Sequence, residues 1–159
     1  MKAEEMNAIQ FRPAVPPWFW LVAGLGLAWN VFGIFQFLPT VQATLGSLMA
    51  NGLTQAQAEL YLALPVWMTI AFAVGVFGGT LGCVLMLWRM SLATTVFGTS
   101  LVAYGVLYMG DITQGVFAAF GLVQVAILTT VVGIAAGLLW TSLRYLSSAP
   151  RGSKFVPTV

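Results

Sequence analysis

Four long runs without a charged residue divide this chain and restrict its folds more than any other feature. The runs are Pro13–Ala58, Leu60–Trp88, Met90–Gly110 and Ile112–Leu143. Each exceeds the roughly 18 apolar residues that mark a membrane-spanning helix. Only 6% of the residues are charged, whereas soluble domains carry about 25%. The pattern therefore predicts an all-α membrane protein and excludes a soluble enzyme or a disordered chain.

The charge, histidine and cysteine counts exclude further classes of function. A formal net charge of +2 is too small for a phosphate-binding surface, so we expect no nucleic-acid partner. The chain has no histidine, which removes the commonest metal ligand and proton shuttle. Its single cysteine, Cys83, cannot form an internal disulfide or a paired-cysteine metal site. We expect no enzymatic activity, no cofactor and no bound metal.

Proline residues set the predicted boundaries of the helices. Pro17 and Pro65 suit the first turn of a helix, where no internal N–H donor is needed, and Pro39 is expected to end the first span. The predicted protein is a single domain over residues 1–159. Its four spans cover about residues 17–38, 65–88, 92–109 and 116–145. The last span is long enough, at about 45 Å, that we expect it to tilt or to leave the bilayer.

The distribution of charge predicts the orientation of the bundle. The opposite loops contain only the acidic residues Glu59 and Asp111. By the positive-inside rule, both termini are cytoplasmic, including a tail over residues 146–159. The six basic residues all fall on that predicted cytoplasmic side: Lys2, Arg12, Arg89, Arg144, Arg151 and Lys154.

Two predicted helix starts lie on the opposite, outer side. The outer loop over residues 39–64 contains a stretch, Leu53–Leu62, that we interpret as a short amphipathic helix. Thr54 and Gln57 have the spacing of a capping box at its start. Asp111 and Gln114 have the same spacing before the fourth span. The loop is expected to lie on the membrane surface or to cap the bundle, and a ligand lid is the less favoured alternative.

Glycine pairs spaced four residues apart predict where helices pack together. Lipid gives helices no hydrophobic reason to associate, so small residues that permit close backbone approach mark helix interfaces. Packing within the bundle is the simpler interpretation, and contact with another molecule is the alternative. The candidate packing residues on the second and fourth spans are Gly75, Gly78, Gly79, Gly82, Gly133 and Gly137.

A few polar side chains interrupt the apolar spans at similar predicted depths. They are Asn30, Gln36, Tyr104 and Gln124. A neutral amide in hydrocarbon needs a hydrogen-bond partner, so interhelical bonding is the simpler interpretation. The alternative is a shallow polar pocket for an uncharged solute. No ionisable group is expected deep inside a span, which argues against ion-coupled transport.

Several motifs resemble those of small four-helix bacterial membrane proteins that are often labelled "sugar transporter". The matching residues are Trp29-Asn30 with Gly33, Leu64-Pro65-x-Trp67, and the VFGGxxGC stretch over residues 76–83. The resemblance covers about residues 18–145 and implies a bacterial inner-membrane location.

Two functions stay open on these residues and motifs. The first is a non-enzymatic accessory or scaffolding subunit that packs through glycine-rich helix faces, in a homo-oligomer or with other membrane subunits. The alternative is a facilitator for a small neutral solute such as a sugar, working as a homo-oligomer. The first predicts that the polar residues bond helix to helix, and the second predicts that they share a cavity.

Overall fold

The computed structural model describes residues 15–146, and the regular structure in that range is entirely helical. Two short helices, α2 (Leu45–Ala50) and α3 (Gln55–Leu62), join the first and second long helices. The prediction of an all-α protein with four long apolar helices is confirmed, and this arrangement fits a multi-pass membrane protein. The four helices long and apolar enough to cross a membrane are α1 (Pro17–Val41), α4 (Val66–Leu87), α5 (Leu92–Thr113) and α6 (Val116–Leu146).

The four long helices form a bundle in which α1 packs on α4, α4 on α5, and α5 on α6. We call the end where α1 begins and α6 finishes the terminal end, and the end that carries α2 and α3 the loop end. At the terminal end α1 also contacts α6, since the centroids of the Trp18 and Tyr145 rings lie 5.3 Å apart. Phe19, Met86 and Phe97, from α1, α4 and α5, are almost completely buried there. The predicted tail beyond residue 146 lies outside the described residues, as do Lys2, Arg12, Arg151 and Lys154.

Large apolar side chains cover the outside of the bundle. Leu122 is 85% exposed, and Val66, Val102 and Leu25 are each exposed over more than half of their surface. In water, contiguous apolar surface on this scale would drive aggregation. The same surface is stable against acyl chains, so the fold is suited to contact with a lipid bilayer.

Helix α1 continues to Val41, three residues beyond its predicted end. Pro39 lies in its last turn rather than after it. The helix is completed beyond the proline because the backbone N–H of Gln42 donates to the Pro39 carbonyl at 3.3 Å. The Thr40 hydroxyl also donates to the Gln36 carbonyl at 3.1 Å. Proline near the end of a helix removes only one internal hydrogen bond, so it does not stop the chain from completing the turn.

Helix α6 differs most from its prediction. It runs over the predicted residues, but Gly121 has φ 70° and ψ −160°, which interrupts the helix near the loop end. Only glycine adopts this region readily, because a Cβ atom would collide with the backbone. The part after the break, residues 122–146, is about 37 Å long and spans the bundle by itself. The break thus divides the predicted 45 Å span, and the expected tilt or exit from the bilayer stays a prediction.

Replacing Gly121 with alanine is expected to destabilise the protein by about 1–3 kcal/mol, since alanine cannot adopt this conformation without strain. No atom lies within 4 Å of the position that a Cβ on Gly121 would occupy, so the effect reports backbone conformation and not crowding. The matched control is Gly24→Ala, in the regular part of α1 with equally open surroundings. That control should be neutral or slightly stabilising. Reversible unfolding in mixed micelles measures the free energy of unfolding of both variants. Equal values for the two would contradict the non-helical conformation of Gly121.

Candidate functional site

The glycines of α4 form the closest helix contacts in the bundle. We call Gly75, Gly78, Gly79 and Gly82 the α4 glycine seam. A Cβ on Gly75 would come within 2.5 Å of the Tyr104 ring, and one on Gly82 within 2.6 Å of the Phe97 ring. Because glycine has no side chain, these aromatic rings from α5 rest directly on the α4 backbone.

The other two seam positions hold polar neighbours. A Cβ on Gly79 would overlap the Asn30 side-chain amide from α1, and one on Gly78 would lie 3.3 Å from the Ser100 Cβ. The Ser100 hydroxyl donates to the Gly75 carbonyl at 2.7 Å. The seam therefore contacts both α1 and α5, and each of these helices adds a polar group to the apolar contact.

Two α1 glycines outside the predicted set of packing residues make similar contacts. A Cβ on Gly26 would lie 2.7 Å from Leu138 of α6, and one on Gly33 would lie 3.0 Å from Val76 of α4. The signal that could have identified them is their spacing with Asn30, which places all three on one helical face.

The candidate glycines of α6 have open surroundings. Nothing lies within 4 Å of a Cβ on Gly133 or Gly137, and both residues are exposed. Ala126 and Thr130 precede them on the same face and are exposed as well. We call these four residues the α6 small-residue face. Within the described chain, the same four-residue glycine spacing is therefore filled on α4 and open on α6.

Asn30 is buried in the middle of α1, and its shorter hydrogen bond is to the backbone of its own helix. Its side chain is 4% exposed. Its Nδ2 donates to the Gly26 carbonyl at 2.8 Å and lies 3.9 Å from the Cys83 sulfur on α4. Tyr104 is equally buried, and its ring packs on Gly75. Asn30 and Tyr104 both border a cavity of about 10 Å³, which is the size of a single water molecule.

The two glutamines lie elsewhere. Gln36 is exposed on α1, and none of the side-chain bonds among residues 15–146 involves its amide group. Gln124 of α6 is half-buried, and its Nε2 donates to Asp111 Oδ2 at 3.0 Å. The structure thus brings Asn30 and Tyr104 to one cavity and places Gln36 and Gln124 away from it.

The predicted position of Asp111, in a loop as part of a capping box, is wrong. It lies in the last turn of α5 and is 3% exposed. Helix α6 begins instead after Gly115, which has φ 74°. The carboxylate is accommodated in the bundle because Gln124 donates to it. Gln124 stands in the first turn after the break at Gly121, where the positive end of the helix dipole favours an anionic neighbour.

Side chains from α3 and α5 hold the chain on both sides of this break. Before it, the Gln57 Nε2 donates to the Ala119 carbonyl at 2.8 Å. After it, Gln124 bonds Asp111. Helix α3 is positioned by its own start, where Thr54 and Gln57 form both hydrogen bonds of a capping box. The segment between α1 and α4 therefore packs against the protein's own α6.

A second bond fixes the same segment to α1. The Tyr61 hydroxyl donates to Thr40 Oγ1 at 3.0 Å, and Ala58 of α3 is fully buried. Whether α3 is also amphipathic towards a membrane surface stays a prediction.

Side chains that could bind a metal ion or act as a nucleophile are few among the described residues. Among residues 15–146, no group of three or more histidine, cysteine, aspartate or glutamate side chains is close enough to hold a metal ion. Cys83 is buried in the interior. A surface depression of about 810 Å³ on the outside of α5 has mainly apolar walls that include Trp67, Val106 and Met109.

No protein-family model, no curated protein and no solved structure matches this chain. The resemblance to small four-helix bacterial membrane proteins stays a prediction that rests on the sequence motifs alone.

The two glutamines allow a matched test of the site. Gln124→Ala removes the hydrogen bond to the buried Asp111 and is expected to lower the free energy of unfolding by about 1–3 kcal/mol. Gln36→Ala removes an exposed amide and is expected to change it by less than about 0.5 kcal/mol. Unfolding of both variants in bicelles provides the comparison. A larger loss for Gln36→Ala would contradict the placement of these side chains.

Proposed function

We propose that the protein is a non-enzymatic subunit of a bacterial inner-membrane assembly, and that it associates with its neighbours through the α6 small-residue face. The neighbour is a second copy of this chain or another membrane protein. The single observation that carries this proposal is the open environment of Gly133 and Gly137.

The contrast between the two glycine sets supports an intermolecular role for α6. Every glycine of the α4 seam already touches another helix, whereas no described part of the chain covers Gly133 or Gly137. Large exposed side chains, such as Leu122 and Ile127, lie beside this face on α6 itself. A strip of small residues among large ones lets another helix approach the backbone closely, so dispersion can supply the attraction that lipid does not.

The placement of the polar residues favours this role over transport of a neutral solute. Asn30 and Tyr104 share a cavity of about 10 Å³, far smaller than a sugar. Gln36 is exposed, and Gln124 bonds Asp111. A transport path needs convergent polar groups around a continuous cavity, and these four side chains are dispersed.

The orientation with both termini in the cytoplasm is part of the same proposal. Arg89 and Arg144 lie at the terminal end, whereas Glu59 and Asp111 lie at the loop end. The Arg144 guanidinium stacks over the Trp140 ring at 5.5 Å. Basic residues beside aromatic rings are typical of the cytoplasmic membrane interface. The bacterial location rests on the resemblance of the motifs.

Native mass spectrometry of the protein extracted gently from its own membrane tests the proposal. We expect the extracted wild type to be detected as an oligomer or in a complex with other subunits at a fixed ratio. Gly133→Ile combined with Gly137→Ile should reduce this association at least about tenfold, because bulky side chains block close backbone approach. The matched control is Gly24→Ile on α1, which is also exposed and open and should leave association unchanged.

Two outcomes would contradict the proposal. One is a wild type that is entirely monomeric under these conditions. The other is an association that survives both α6 substitutions but fails in the α1 control. Sugar uptake by liposomes that contain only this protein would favour the facilitator instead.

A further inference from the structure

Two polar groups on buried residues near the bundle centre have no hydrogen-bond partner among residues 15–146, although a sphere the size of a water molecule still reaches each of these atoms. Both hydrogen bonds of the Asn30 side chain use Nδ2, so its Oδ1 accepts none from residues 15–146. The Tyr104 hydroxyl has no hydrogen-bond partner in that range, although the residue is only 4% exposed. Buried polar groups are rarely left unsatisfied, since an unmade hydrogen bond in an apolar interior is costly.

Asn30 and Tyr104 both line the same small cavity. It measures about 10 Å³, and Ser100 also lines it. The Ser100 hydroxyl donates its proton to the Gly75 carbonyl, so its oxygen retains lone pairs that can accept. The residues that line the cavity thus carry one amide oxygen that can accept, one phenol that can donate or accept, and one hydroxyl oxygen that can accept. A buried water needs two to four such partners.

The α4 glycine seam creates this arrangement. Gly79 leaves room for the Asn30 amide, and Gly75 leaves room for the Tyr104 ring. Side chains of α6, among them Val131 and Leu138, close the cavity with apolar surface. The volume is at the lower limit for one water molecule and excludes any larger polar ligand.

We propose that one structural water molecule binds in this cavity and bridges Asn30 of α1 to Tyr104 of α5. These two helices are diagonal in the bundle and do not pack against each other. The water donates one proton to Asn30 Oδ1 and, with its oxygen or its second proton, bonds the Tyr104 hydroxyl. The water thereby links α1 to α5 by hydrogen bonds in the interior of the bundle.

Solid-state NMR of the protein in lipid bilayers tests the water directly. Magnetisation transferred from water protons should reach the Asn30 side chain and the Tyr104 ring, although both lie at the middle of their helices. Exposed apolar residues at the same depth, such as Phe32, should receive none. Tyr104→Phe should abolish the transfer to Asn30 while the rest of the spectrum is retained. Absence of transfer to both residues in the wild type would overturn the proposal.

A double-mutant cycle gives a second, energetic test. Tyr104→Phe and Asn30→Leu each remove one partner of the water, and each should lower the folding equilibrium constant by about tenfold. The double variant should lose about tenfold rather than a hundredfold, because the second substitution removes a bridge that is already broken. Tyr108→Phe is the matched control, since its hydroxyl is exposed and 3.4 Å from Thr129 Oγ1. Losses that multiply for Asn30 and Tyr104 would overturn the bridge.

Discussion

Close approach of other helices to the backbone of α4 is the contact on which the rest of this bundle depends. In a bilayer, apolar side chains gain nothing by leaving lipid for one another, so only close packing and hydrogen bonds can hold helices together. The α4 glycine seam supplies both. Rings of α5 rest on Gly75 and Gly82, and the amide of α1 covers Gly79. Helix α6 then closes the bundle against α5 and, at the terminal end, against α1.

The same glycine spacing serves two purposes in one chain. On α4 it is consumed by internal contacts, whereas on α6 it remains on the outer surface. The break at Gly121 separates the part of α6 that spans the bundle from the short turn that meets α3. Because Gln57 and Asp111 bond on either side of this break, the loop end is tied together by polar contacts. The bundle is thus held by small residues at its centre and by amides at its loop end.

The sequence predicts the helices well, because charge-free runs of this length leave few alternatives. It also predicts that Asn30 must find a partner, since an amide is costly in hydrocarbon. It does not identify that partner, which is the Gly26 carbonyl of the same helix at 2.8 Å rather than a group on another helix. Spacing alone does not distinguish the filled glycines of α4 from the open ones of α6. The loop position predicted for Asp111 is wrong. A charged residue beside an apolar run is typical of a loop, and only the structure shows that Gln124 donates to the Asp111 carboxylate.

The most direct measurement of this account compares single alanine variants along the two helices. Gly75→Ala, Gly79→Ala and Gly82→Ala should each lower the free energy of unfolding in bicelles by about 1–3 kcal/mol, because an added methyl group forces a packed neighbour to move. Gly133→Ala and Gly137→Ala, measured on the dissociated protein, should change it by less than about 0.5 kcal/mol or raise it. Equal losses on both helices, or no loss on α4, would contradict the central role of the seam.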